Sequence, residues 1–109
     1  MSGGVQQYLA TATLPAGVAT PVDIAINGAQ NWTLVVRNTG ATNAVTALTI
    51  AVSPLGTLFE AAASITTGIP LAASTSLAAI VGSNAPCLTA RLTLTSTSGT
   101  TVSIEGVGR

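Results

Sequence analysis

The sequence predicts an all-β fold: a single antiparallel β-sandwich, or a jelly-roll or barrel-like form of it, with about seven short strands. Three observations support this prediction. Apolar and polar residues alternate with a period of two in several segments. Turn signals rich in Gly, Pro, Asn and Ser lie between these segments and recur about every 8–12 residues. The 109 residues amount to one domain.

We expect residues 1–7 to form a flexible N-terminal arm and residues 8–109 to form the sandwich domain. The first residues carry neither a basic segment nor an apolar one, so they do not resemble a secretion signal. The single cysteine, Cys87, cannot form an internal disulfide. Both features predict that the chain is made and folds in the cytoplasm.

The first quarter of the chain predicts two strands. Residues 7–14 alternate weakly, with Tyr8 and Leu14 on the apolar face, and residues 15–17 form a Pro-Ala-Gly turn signal. Residues 22–26 alternate clearly and end at an Asn-Gly pair.

The stretch from Asn31 to Pro54 predicts two further strands around a polar corner. Residues 32–37 and 47–52 each alternate between apolar and polar side chains. At residues 38–40 the sequence Asn-Thr-Gly breaks the pattern. It provides an Asn that can cap its own turn and a Gly that is free to take a positive φ. Pro54 ends the second strand because it cannot donate to a ladder.

Residues 55–67 leave alternatives open. Thr57 in front of Glu60 is compatible with the capping box of a short helix, although a strand or a loop is nearly as consistent with the sequence. Residues 77–81 form an extended apolar stretch that ends at Gly82-Ser83-Asn84.

The last quarter of the chain predicts a hairpin. Residues 88–95 and 101–105 alternate regularly, and Ser96-Thr97-Ser98-Gly99 lies between them as a turn. On a hairpin, Arg91 and Glu105 would share the polar face, which predicts an ion pair between them.

The alternation also predicts which side chains form the core. The single tryptophan is the natural centre of a small core because it buries the largest apolar area. The predicted core residues are Trp32, Leu34, Val36, Leu48, Ile50, Leu92, Leu94 and Ile104.

The composition argues against an enzyme and against a cofactor or metal site. The chain has no histidine and no lysine, so it lacks the commonest general base and any Schiff-base amine. Cys87 is predicted to be a small apolar filler rather than a nucleophile. Its three carboxylates are scattered, although spacing alone does not exclude Asp23 with Glu105 as a glycosidase-like pair.

The small number of charged residues bears on which class of partner, nucleic acid, membrane or protein, the chain can bind. Charged residues make up 6% of the chain and the net charge is zero, whereas a typical domain has about a quarter charged residues. Three arginines balanced by three acids give no basic stripe, which argues against nucleic acid. No apolar run reaches the roughly 20 residues needed to span a membrane. A surface so poor in charge favours a permanent assembly, with a stable monomer solvated by Thr, Ser and Asn as the alternative.

Two resemblances follow from these residues. Val36-Arg37-Asn38-Thr39-Gly40, in the unit Asn31–Pro54, resembles the corner of immunoglobulin-like modules of bacterial surface proteins. The whole-chain profile, small, all-β and rich in Thr, Ala, Ser and Gly, resembles small structural proteins of tailed bacteriophages.

The phage resemblance implies a non-enzymatic virion component, most simply a head decoration (cement) protein that stabilises the capsid. It implies a homo-oligomer, with a trimer favoured, bound to the major capsid protein or another virion protein. It also implies a protein located in the virion and made in the bacterial cytoplasm. The alternatives are a neck, tail or fibre-attachment protein, and an immunoglobulin-like adhesion or carbohydrate-binding module.

Overall fold

The computed structural model describes residues 5–55, 57–77, 80–82 and 87–109. Of the predicted arm, residues 1–4 lie outside the described residues. Gln6 and Gln7 belong to the first strand, where they pair with Gly108 and Val107. The predicted turn at Ser83-Asn84 also lies outside the described residues.

The described residues form two four-stranded sheets in which every pair of neighbouring strands is antiparallel. The all-β sandwich predicted from the sequence is confirmed. The eight strands are β1 (Gln6–Leu14), β2 (Thr20–Ala25), β3 (Trp32–Asn38), β4 (Ala47–Ser53), β5 (Ala63–Ser64), β6 (Ile80–Gly82), β7 (Thr89–Thr95) and β8 (Thr100–Gly108).

The strand order is that of a jelly roll. One sheet has the order β1-β8-β3-β6 and the other has the order β2-β7-β4-β5, so the chain crosses from sheet to sheet at every connection except β4–β5. An immunoglobulin-like sandwich instead pairs its first strand with its second. The immunoglobulin-like topology suggested by the Asn-Thr-Gly corner is therefore wrong.

The core lies between the two sheets and is built from the alternation along each strand. Seven of the eight predicted core residues are buried, and Ile50 is half-buried against the core beside the two-residue strand β5. Trp32 packs against Gly82 of β6, where any Cβ would collide with the indole ring. A glycine on the neighbouring strand is therefore what allows the largest side chain into the core.

At the Asn-Thr-Gly corner, Asn38 caps its own turn as the sequence predicts, whereas Gly40 does not take the positive φ that its free backbone would allow. The buried Asn38 amide donates to the carbonyls of Asn43 (2.8 Å) and Leu71 (3.0 Å) and accepts from Gly40 N (3.0 Å) and Thr100 Oγ1 (2.9 Å). All four polar positions of the amide are thus satisfied. Gly40 is required for a close approach, since a Cβ there would overlap the Thr100 hydroxyl, and its φ is not positive.

The structure selects one of the alternatives at residues 55–67 and contradicts the predicted hairpin at residues 96–99. Residues 57–62 form a loop rather than a helix: they run as an irregular segment beside β4, and Glu60 N donates to the carbonyl of Val52 at 3.1 Å. Residues 96–99 do not close a hairpin, because β7 and β8 lie in different sheets. Arg91 and Glu105 therefore cannot pair, and Arg91 instead binds Asp23 on β2.

Candidate assembly surface

The outer face of the sheet β1-β8-β3-β6, called here the β1 face, carries apolar side chains next to an open strand edge. Leu9 is 72% exposed and Val107 is 48% exposed on this face. Leu9 lies opposite Glu105, which lies opposite Val35 on β3. Val5, just before β1, is 58% exposed. The apolar side chains therefore gather toward one end of the face.

The hydrogen-bond pattern shows which backbone groups of β1 are open. Asn31 and Arg109 exchange backbone hydrogen bonds (2.8 and 3.1 Å), and Thr39 N donates to Thr101 O (2.9 Å). Odd-numbered residues of β8 therefore bond to β3, and even-numbered ones bond to β1. Even residues of β8 pair with even residues of β1. It follows that the odd residues of β1 direct their N–H and C=O groups away from the sheet.

In the described part of the chain, no other strand pairs with these open groups of β1. The open edge is nine residues long, and it carries no charge and no proline. The four residues that offer both a free donor and a free acceptor are Gln7, Leu9, Thr11 and Thr13. An edge of this kind is a template for another strand.

The neighbouring edge, at β2, is closed by its own residues. Ile26 N donates to Leu88 O (2.8 Å), and these two residues continue the β2–β7 register. The even residues of β2 therefore bond to β7, and the odd residues direct their backbone N–H and C=O groups away from the sheet. One of them is Pro21, which has no N–H to offer. Another is Asp23, whose carboxylate accepts from Arg91 Nε (2.7 Å) and Nη2 (3.0 Å). Proline and charge both hinder the addition of a strand.

Tyr8 joins the two edges. Its hydroxyl donates to the carbonyl of Ile26, just after β2, at 3.0 Å, and the bond is buried. Burial raises the pKa of Tyr8 above its ordinary value of 10.0. A cleft between the two edges is lined by Gln7, Leu9, Asp23 and Asn27, among others.

The opposite outer face, on the sheet β2-β7-β4-β5, is organised around Arg91. The guanidinium carbon lies 4.1 Å from the centre of the Phe59 ring, which packs over it from the β4–β5 connection. The bidentate hydrogen bond from Arg91 lowers the pKa of Asp23. Leu55 and Leu58 of the same connection are 76% and 80% exposed.

The residues considered for catalysis are not brought together. Asp23 points from the outer face of one sheet and Glu105 from the outer face of the other, so the two carboxylates cannot share a substrate. Cys87 is 3% exposed, and burial raises the pKa of its thiol. Within residues 5–55, 57–77, 80–82 and 87–109 there is no group of three side chains suited to hold a metal ion.

The same described ranges contain no helix long and apolar enough to cross a membrane. The sequence considerations missed Leu9 and the β1 edge. The one available signal was that Leu9 stands on the otherwise polar face of its segment.

No protein-family model matches the chain, and no curated protein matches its sequence. Solved structures of similar architecture include a chain of infectious bursal disease virus, Gx strain, with 15% identity and a TM-score of 0.49 over 95% of this chain and 30% of that one. Another is a chain of Bacillus endospore appendages, described as disulfide-linked pili, with 14% identity and a TM-score of 0.46 over 96% of this chain and 86% of that one.

A third is the VP2 subviral particle of infectious bursal disease virus, with 14% identity and a TM-score of 0.42. It aligns over 97% of this chain and 32% of that one. The chain thus spans about a third of the length of the viral chains. Similarity at this level does not establish a shared function.

Proposed function

We propose that this chain is a non-enzymatic structural subunit of a virion, most simply a decoration (cement) protein that binds the capsid lattice and stabilises it. The observation that carries the proposal is the surface of the folded chain. It has six charged residues in 109, and large apolar side chains stand exposed on it. Such a surface suits a protein whose exposed residues become covered by neighbours in an assembly.

The geometry gives less support to a carbohydrate-binding module. Sugar recognition needs exposed aromatic rings, but Trp32 is 4% exposed and Tyr8 is 7% exposed. The third aromatic residue, Phe59, packs its ring on Arg91. No aromatic ring is therefore free to form a flat sugar platform.

A decoration protein acts by mass action. It binds the assembled lattice and not the separated subunits, so its binding free energy adds to the stability of the shell. Its partners would be the major capsid protein or another virion protein, together with further copies of itself. A neck, tail or fibre-attachment position in the same particle remains the nearest alternative.

The proposal is tested on particles of the virus that encodes the chain. We expect mass spectrometry of purified particles to detect the chain in many copies per particle. Particles from a gene deletion should lose their DNA at a lower temperature, and added purified chain should restore the wild-type temperature. Antibody labelling in the electron microscope then distinguishes head from neck and tail. Absence of the chain from purified particles would overturn the proposal.

The binding surface is found with matched variants in the same add-back assay. Leu58→Ser changes an 80% exposed residue on the β4–β5 connection, and Val18→Ser changes a 51% exposed residue at the opposite end of the sandwich. Neither residue is buried, so both variants should keep the wild-type melting temperature. The variant with reduced occupancy on the particle marks the face that meets the capsid.

A further inference from the structure

We infer that the open edge of β1 binds the β1 edge of a second copy of this chain, in antiparallel orientation about a two-fold axis. The inference deepens the assembly role proposed above and rests on it for its biological meaning. It joins the two four-stranded sheets that contain β1 into one continuous sheet of eight strands. The partner is therefore a second copy, bound through backbone hydrogen bonds.

Complementary backbone groups are the first argument. The open groups belong to the odd residues of β1, and an antiparallel copy presents the same odd residues. Aligning the two strands over their full length places Leu9 opposite Thr11 of the partner subunit and Gln7 opposite Thr13 of the partner subunit. The four odd residues of each strand then form about eight hydrogen bonds. An edge with this pattern complements itself, as a two-fold interface requires.

Charge is the second argument. No residue of β1 is charged, so two copies meet there without repulsion. The chain as a whole has zero net charge, which removes long-range repulsion between copies as well. A partner recognised by its charge would find no complementary group along β1.

The other three edges of the sandwich are the third argument. Among the described residues, strands β5 and β6 at the far edges have two and three residues, whereas β1 has nine. Strand β2 is closed by Pro21 and Asp23. Within the described residues, β1 is thus the one edge strand that is both long and unprotected, and the exposed Leu9 lies on it.

Light scattering of the purified full chain over a dilution series tests the inference. We expect a mass twice that of the chain, falling to one chain mass in the double variant Leu9→Glu with Thr11→Glu. That variant places like charges opposite each other at both central pairs. The control, Thr93→Glu with Thr95→Glu, adds the same charges to the outward positions of the central strand β7 and should keep the doubled mass. All three proteins should share one melting temperature within a few degrees.

A charge reversal checks the register. Leu9→Lys with Thr11→Glu puts opposite charges at both central pairs of the inferred alignment and should restore the doubled mass. An alignment centred on Leu9 would instead oppose two positive charges, and the protein would stay a monomer.

Crosslinking provides a second, independent readout in a Cys87→Ala background. Hydrogen-bonded pairs hold Cα atoms about 5.5 Å apart, within disulfide range. A mixture of Leu9→Cys and Thr11→Cys chains should give the mixed disulfide at least tenfold above either homodimer.

Some outcomes would overturn the inference. A wild-type monomer at all concentrations, or a trimer that ignores the edge variants, would do so while leaving the virion role standing. Conversely, a β1-linked dimer that is absent from virus particles would overturn the virion role and leave the edge contact established.

Discussion

The two neighbouring strand edges, β1 and β2, are built from the same kind of sequence and differ in how they meet solvent. Both strands alternate apolar and polar residues, and both end a four-stranded sheet. On β2, the outward backbone positions hold Pro21 and Asp23, while on β1 they hold Gln7, Leu9, Thr11 and Thr13. A single proline and a single ion pair therefore separate an edge that resists a further strand from one that accepts it.

The molecule therefore restricts where it can associate. A chain with so little charge has little general protection against association. Protecting the β2 edge and leaving the β1 edge open directs association to β1. Four sets of substitutions at and between these two edges test the contrast.

Proline at two adjacent positions of β1 should have very different effects on stability, because one N–H is bonded to β8 and the other faces the open edge. Ala10→Pro removes an N–H that donates to β8 and leaves a carbonyl opposite Ala10 without its donor, so we expect a loss of about 2–3 kcal/mol in unfolding free energy. Thr11→Pro removes an N–H that faces the open edge, as Pro21 does on β2, and should cost less than about 1 kcal/mol. Urea denaturation measures both. Equal losses would mean that the edge assignment is wrong.

Removing the Tyr8 hydroxyl should loosen the link between the two edges. Tyr8→Phe deletes the bond to the Ile26 carbonyl, which keeps a second bond from Ala29 N at 3.3 Å, so we expect a loss of about 1 kcal/mol. Because the pKa of Tyr8 is raised in the folded state, wild-type stability should hold below pH 10.0 and fall as the pH rises further. The variant should lack that contribution to the fall. Denaturation midpoints at several alkaline pH values check this; parallel curves would contradict it.

Replacing Pro21 should open the second edge. Pro21→Thr restores an N–H on β2 and raises the β propensity of an exposed position, so we expect masses beyond two copies in light scattering. The unfolding free energy should change by less than about 0.5 kcal/mol because Pro21 is exposed. Pro21→Lys is the matched control, since it restores the N–H but adds a charge, and it should stay at the wild-type mass. Wild-type masses for both variants would show that proline is not what closes β2.

The smallest effect concerns the ion pair on β2. Both side chains are about half exposed, so Asp23→Asn should lower stability only slightly at neutral pH. Arg91 lowers the pKa of Asp23, so the contribution is present above the ordinary carboxyl pKa of 3.8 and is lost as the pH falls through the lower folded value. Wild type and variant should therefore converge in acid. A constant difference between their melting temperatures from neutral to acidic pH would contradict this account.

The sequence correctly predicted which side chains face the core, but it did not predict which strands and side chains pair with each other. Alternation placed Trp32, Leu34 and Leu92 inside, because a strand with one buried face must alternate wherever it lies. The same signal could not pair Arg91 with its true partner, since alternation says which face a residue takes and not which sheet its strand joins. A Ser-Thr-Ser-Gly turn can connect two strands of a hairpin or two strands in different sheets. The prediction of a hairpin at residues 96–99 was wrong for this reason.

The β1 edge could not be predicted for the same reason. Whether a strand lies at an edge depends on the order of strands that are distant in sequence, here β1 beside β8. Pro21 did hold information, because a proline within a strand marks an edge position. That β1 is an open edge beside β2 is known only from the strand order of the folded chain.

Residue-resolved amide hydrogen exchange across a dilution series measures whether the open edge of β1 pairs with a second copy while the β2 edge does not. In dilute protein, even residues of β1 should be protected by β8, while the amides of Leu9, Thr11 and Thr13 should exchange rapidly. On concentration, protection of these three odd residues should rise at least tenfold, while the N–H groups of Asp23 and Ala25 on β2 stay unchanged. Rapid exchange of the odd β1 amides at every concentration, or equal gains on β1 and β2, would contradict it.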